Sequence, residues 1–130
     1  MKDEEKSTNV FICRIYYEDV DVGGYCYHSK YLNLCERARS EIYFSKGLSP
    51  IQNDYHFVVK SITADFKAPG LFGDELSITT SVLERKSVSI KLFQEVVNQN
   101  NVTLFSMEIL LVCLKNSKVT KIPVSLGQVF

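Results

Sequence analysis

The densest group of reactive side chains in this 130-residue chain is Tyr17-Glu18-Asp19-Val20-Asp21-Val22-Gly23-Gly24-Tyr25-Cys26-Tyr27-His28. It gathers three carboxylates, two glycines and one of the two histidines. Acids and glycines this crowded form neither strand nor helix, so the segment is a loop with room for positive φ at its glycines. A helical pattern starts directly after it. The first turn of a helix offers unpaired N–H groups and a partial positive charge. Such a terminus can polarise a thioester carbonyl and stabilise the oxyanion that forms on attack. A carboxylate that is partly buried and crowded by other acids can serve as base or nucleophile. The glycines would let backbone approach a substrate closely. The bland alternative is that these acids serve only a turn and a helix dipole, and composition by itself leans that way.

The surrounding elements are read from hydrophobic period. Val10 to Tyr17, rich in β-branched and aromatic residues, reads as a first strand. Ser29 to about Lys46 reads as one long helix, with Tyr31, Leu34, Cys35, Ala38 and Ile42 on a single apolar stripe. Glu36, Arg37, Arg39 and Ser40 then form its polar side, and Gly47 ends it. Ser49-Pro50 predicts a short helix over 50–54. From Phe57 the period becomes two. Val58, Ile62, Ala64 and Phe66 mark one strand, Leu76, Ile78, Thr80 and Val82 the next, and Val88, Ile90, Leu92 and Val96 a third. The asparagine-rich run 98–101 predicts a hairpin turn, followed by a long buried strand from Val102 to Lys115. A last short strand, Val119–Ile122, is stopped by Pro123.

Strand, long helix, then four or five consecutive strands predicts an α+β fold, one helix on the concave face of an antiparallel sheet. The chain reads as a single domain, 1–130, with residues 1–8 polar and flexible. One helix cannot cover every strand, so a homo-oligomer is expected. Lys+Arg and Asp+Glu are both 15, which gives no reason to expect nucleic acid or an anionic membrane as partner. No apolar run reaches the length of a membrane span, and the charged start is unlike a signal peptide. The four cysteines show no paired or zinc-like spacing, so they are expected to be reduced, in a cytoplasmic protein, with no metal.

The run Arg14 to Glu41, RIYYEDVDVGGYCYHSKYLNLCERARSE, resembles the YbgC-type acyl-CoA thioesterases. These belong to the 4-hydroxybenzoyl-CoA thioesterase group of the hotdog-fold superfamily. Phe57-Val58-Val59, Phe66-Lys67-Ala68-Pro69 and Leu111-Val112-Cys113 are similar to family positions as well, so the resemblance covers nearly the whole chain. It implies a hotdog fold of about five strands around the helix, and hydrolysis of an acyl-coenzyme A to free acid and CoA.

The resemblance also implies roles. Asp21 is the catalytic carboxylate, as nucleophile through a mixed anhydride or as general base for water. His28 orients substrate or water, and its backbone N–H polarises the carbonyl. Tyr17 belongs to the same site, and Asp19 and Glu18 hold the loop. Gly24 and Tyr25 would contact substrate, Tyr25 by narrowing the acyl pocket. Arg85, Lys86 and Ser87, between two strands, resemble the family's contacts to coenzyme A. A solvated charged hairpin is the alternative reading of that trio. Val20, Val22, Tyr25-Cys26 and Ser29-Lys30 depart from the usual family residues, which leaves the acyl group open. No cofactor beyond the substrate's own CoA is implied, and a homodimer assembling to a homotetramer is. Two further readings are an enzyme acting on acyl-acyl carrier protein and a non-catalytic acyl-thioester or protein-binding module. Cys26 lacks a cationic partner beyond His28, and His56 is read as structural.

Overall fold

A computed structural model describes residues 9–130; the segment 1–8, expected to be flexible, lies outside the described residues. Strand β1 spans Asn9–Arg14, helix α1 His28–Phe44, β2 Tyr55–Phe66, β3 Glu75–Arg85, β4 Ser89–Val97, β5 Thr103–Lys115 and β6 Lys118–Val119. A short helix α2, Val124–Gly127, follows. All strand pairings are antiparallel, in the order β1-β3-β4-β5-β2, with β6 on β5. The α+β class and the hotdog arrangement are those expected.

The stripe read from the sequence is the buried face of α1: Tyr31, Leu34, Cys35, Ala38 and Ile42 all lie in the core. The first four meet Leu76, Ile78, Ile90, Leu92, Val96, Phe105, Met107, Ile109 and Leu111 from the sheet, and Ile42 joins a second cluster with Cys113, Leu126 and Val129. Burying this apolar surface is the main term holding helix to sheet, at roughly 25 cal/mol per Å2. Gly47 ends the helix with φ +71, and the Leu48 N–H donates to Tyr43 O at 2.9 Å.

Several expectations are corrected. No helix covers 50–54: Ser49 Oγ accepts the Ile51 N–H at 3.1 Å, and Asn53 and Asp54 turn the chain with positive φ. The last strand is only two residues long, and Pro123 caps α2 instead of simply ending a strand. Strand β2 is not an alternating half-buried strand. It lies at the sheet edge, where Val59, Ile62 and Phe66 are exposed. Arg39 is not on a solvated face: its Nη1 donates at 2.8 Å to Oε1 of Gln94, which is fully buried. Gln94 in turn donates to Cys35 O and Thr80 Oγ1, both at 2.9 Å, so its side chain is satisfied.

Consecutive strands β2 and β3 do not pair; β2 pairs with β5 and β3 with β1 and β4. Residues 67–74 must therefore cross the molecule. They pass under the start of α1, where a Cβ on Gly70 would meet the Tyr31 hydroxyl at 2.6 Å and Ile15 Cδ1 at 2.8 Å. Only glycine fits that crossing, and the crossing delivers its far side to the acidic loop.

Candidate active site

The loop between β1 and α1 is organised by Asp19. Its Oδ2 accepts the Tyr16 N–H at 2.8 Å, its backbone oxygen accepts the Tyr27 N–H at 2.8 Å, and Lys30 Nζ lies 3.4 Å from its Oδ1. The residue is 6% exposed. A buried carboxylate needs such partners, and here they tie the loop's start to the helix. Asp19 thus holds the loop, as expected, whereas Glu18 is exposed.

Val20 pairs with Cys26, and the residues between them close a tight turn. Asp21 N–H donates to Tyr25 O at 2.8 Å, and Gly24 N–H to Asp21 O at 3.0 Å, with Gly24 at φ +82. The Asp21 carboxylate is fixed by its own turn. Oδ1 accepts the N–H groups of Gly23 at 2.9 Å and Tyr25 at 3.1 Å. Among the described residues nothing donates to Oδ2, and the residue is exposed. The carboxylate expected to be partly buried among acids is instead a surface group held by two N–H donors, because Asp19 is turned inward. One oxygen is anchored and the other is free.

Asp21 opens onto a cavity of about 860 Å3 shared with Tyr17, Gly24, Tyr27, Phe72, Val20 and Val22. Tyr17 sits in the 3-10 turn Tyr17–Asp19, and its ring meets Phe72 edge-on at 6.3 Å. Tyr27 is the residue before α1, and no side chain caps that helix. The Lys30 N–H donates to Tyr27 O at 2.9 Å, and the N–H groups of His28 and Ser29 are left for another acceptor. The His28 ring lies 4.8 Å from that of Tyr27 and 6.5 Å from Phe66. Tyr17, Asp21, Gly24 and His28 are thus gathered at one loop and helix start. Tyr25 is adjacent but does not line the cavity: it pairs with Leu71, and its ring packs beside Gly23.

Phe72 and Tyr27 were not singled out from the sequence. Phe72 arrives through the 67–74 crossing, fastened by Cys26 N–H to Gly70 O at 2.8 Å and by Asp74 Oδ2 accepting the Leu71 N–H at 2.9 Å. The weak signal available was an apolar Leu71-Phe72 pair between two glycines.

Arg85, Lys86 and Ser87 lie elsewhere. Asp74 and Glu75, at the start of β3, are near the acidic loop, and Arg85 ends that strand roughly 30 Å away. Arg85 donates to the backbone oxygens of Gly127 and Phe130, each at 2.7 Å. Lys86 is 3.9 Å from Glu84 in an exposed pair, and Ser87 O accepts the Ile122 N–H. A single chain does not bring this trio to Asp21.

Burial pushes the Cys26 thiol up to about 11, so it is a neutral thiol beside the site at physiological pH. The Tyr31 hydroxyl is raised for the same reason and accepts the Gly70 N–H at 3.1 Å. Among the described residues, no three His, Cys, Asp or Glu side chains group as a metal site.

The profile of the thioesterase superfamily matches residues 23–105. An acyl-CoA thioesterase YbgC from Helicobacter pylori is 44% identical over 96 residues, which are 74% of this chain and 72% of that protein. An acyl-CoA thioester hydrolase YbgC from Escherichia coli is 36% identical over 78% of each. Among solved structures, BH1999 gentisyl-coenzyme A thioesterase superposes with TM-score 0.82 at 27% identity, over 93% of this chain and 98% of that one.

Proposed function

The chain belongs to the thioesterase superfamily and is a thioester hydrolase, and we propose that it hydrolyses an acyl-coenzyme A with Asp21 as the reacting carboxylate. The observation that carries the reading is the asymmetry of that carboxylate. Oδ1 is pinned by Gly23 and Tyr25 while Oδ2 is unshared, and Asp21 lines a cavity also bordered by Tyr27, the residue before an uncapped helix.

In the proposed complex the thioester carbonyl oxygen accepts from the first-turn N–H groups of α1 at His28. Charge that develops on this oxygen is stabilised by fixed dipoles. Asp21 then serves by one of two routes. As nucleophile, Oδ2 bonds to the acyl carbon, the C–S bond breaks, the CoA thiolate takes a proton from water, and a second water hydrolyses the anhydride. As general base, Oδ2 takes the proton of a water that attacks the same carbon, and the proton passes to the departing sulfur. The aromatic wall of Tyr17, Tyr27 and Phe72 supplies apolar surface for the acyl part. No cofactor other than the substrate's CoA enters either route.

Label found in Asp21 after a single turnover in heavy-oxygen water identifies the anhydride route, with water opening the anhydride at the aspartyl carbon; the general-base route puts label only in the product acid. Thiol release from acyl-CoAs of differing length, beside Asp21→Asn, tests the activity itself. A folded wild type that releases thiol from no CoA ester would overturn the reading, and an acyl carrier protein ester would be tried next.

Coenzyme A contacts from Lys86 and Ser87 are proposed to come from a neighbouring copy, since they stand far from Asp21 within one chain. Strand β2 offers a free edge of 12 residues for pairing copies into the proposed dimer and tetramer. The cytoplasm is the proposed compartment, supported by four free cysteines.

A further inference from the structure

Phe72 borders the Asp21 cavity, yet it is 60% exposed, and Tyr17, the ring it meets edge-on, is exposed as well. Packing against so open a neighbour does not fix a ring. Its place is set by the backbone turn that carries it, Leu71–Asp74. The turn is closed by its own groups: the Asp74 N–H donates to Leu71 O at 3.0 Å, and the Leu71 N–H donates to Asp74 Oδ2 at 2.9 Å. The end of β1 holds one side. The Gly73 N–H donates to Ile15 O at 2.8 Å, the Ile15 N–H to Asp74 O at 2.9 Å, and Arg14 Nη1 to Gly73 O at 2.7 Å.

A residue from a different hairpin holds the other side. Gln99, in the turn between β4 and β5, donates through Nε2 to Asp74 Oδ1 at 3.0 Å and accepts the Glu75 N–H through Oε1 at 2.9 Å. An amide suits this place, because a carboxylate needs a donor and a backbone N–H needs an acceptor. Asp74 is 8% exposed, so its carboxylate is drawn out of water and is costly to leave short of a donor. The hairpin that presents Gln99 is itself tied. Asn98 Oδ1 accepts the N–H groups of Asn100 at 2.9 Å and Val102 at 3.0 Å, and the Asn98 N–H donates to Val102 O at 3.0 Å. Gln99 is exposed and does not border the cavity, so any influence it has on a ligand there passes through the turn.

We propose that Gln99 is a positioning residue: by fastening Asp74 and Glu75 it fixes the turn that carries Phe72, and with it how firmly the cavity holds the substrate. The effect on substrate rests on the acyl-CoA reading above, whereas the hold on Phe72 does not.

The chain has no tryptophan, so Phe72→Trp places a single reporter at the ring's own position. Its fluorescence anisotropy in the full chain, with and without Gln99→Ala, reads nanosecond motion there and needs no substrate. The anisotropy should fall when Gln99 is cut back. Gln99→Glu keeps the side-chain shape and the acceptor for Glu75 but sets a second carboxylate against Asp74, so it should lower the anisotropy too, and it replaces Gln99→Ala if that variant does not fold. Kinetics with decanoyl-CoA read the consequence. In Gln99→Ala, KM should rise about three- to tenfold with kcat within about twofold of wild type, as expected when ground state and transition state lose the same hold. In a Phe72→Ala background the same substitution should leave KM unchanged, because its effect passes through the ring. Unchanged anisotropy in a folded Gln99 variant would overturn the proposal, as would KM effects that add fully in the double variant. A folded wild type that releases thiol from no CoA ester would overturn the acyl-CoA reading and the substrate effect with it, and the anisotropy would still decide the hold on Phe72.

Discussion

Asp19 and Asp21 stand two residues apart and face opposite ways. Asp19 is 6% exposed, holds the Tyr16 N–H and lies 3.4 Å from Lys30. Asp21 is exposed, with one oxygen held by two N–H groups and the other free. Residues two apart in one extended strand would share a face, but Asp19 ends the 3-10 turn Tyr17–Asp19 and Asp21 begins the tight turn closed by the Val20–Cys26 pair, so the chain changes direction between them. One carboxylate holds the loop together and the next keeps an oxygen unshared.

That division predicts different costs. Asp19→Ala strands the part-buried Tyr16 N–H and the Lys30 charge, and should destabilise the fold by about 1–3 kcal/mol. Asp21→Asn keeps the shape of an exposed side chain and should leave stability within about 0.5 kcal/mol of wild type. Urea denaturation of both variants checks this. Equal losses would mean that Asp21 is structural.

Gly70→Ala should damage both fold and site. Its Cβ would fall 2.6 Å from the Tyr31 hydroxyl and 2.8 Å from Ile15 Cδ1, so the crossing must shift. A loss of about 1–3 kcal/mol is expected from overpacking. KM for acyl-CoA should rise as Phe72 is displaced. Gly24→Ala is a useful contrast: nothing lies within 4 Å of its Cβ, and its cost comes from φ +82 alone.

How much of this could be read from residues alone depended on range. The acidic loop and the helix stripe are local patterns, and both appear where the sequence places them. Phe72 reaches the site through a crossing between strands that do not pair, which no local period reveals. Arg39 reads as a polar-face residue because its partner Gln94 is 55 residues away on β4. The Arg85 trio resembles a coenzyme A contact, but distance along β3 separates it from Asp21 within one chain. The apolar residues of β2 suggest burial, whereas the sheet order puts that strand at the edge.

The buried thiols predict a pH response. Burial raises Cys26 from 9.0 to about 11, and Cys13 likewise. The folded state therefore favours the neutral thiol. Its contribution is intact below pH 9.0 and is lost as pH rises toward about 11, because the unfolded chain ionises first. The urea midpoint should fall across that window, and iodoacetamide should label Cys26 slowly in the folded protein. A constant midpoint with rapid labelling would contradict the burial.

The helix start makes a further prediction. His28→Ala removes an exposed ring but leaves the N–H that the proposed mechanism uses, so kcat should fall by less than about tenfold. A loss as large as that of Asp21→Asn would assign the imidazole itself a direct role.

The central claim is tested most directly by thiol release from an acyl-CoA panel, wild type beside Asp21→Asn at matched folding. The account predicts release by wild type and a fall in kcat of on the order of a hundredfold or more in the variant, about 3 kcal/mol of transition-state stabilisation. Release by Asp21→Asn at the wild-type rate would contradict it.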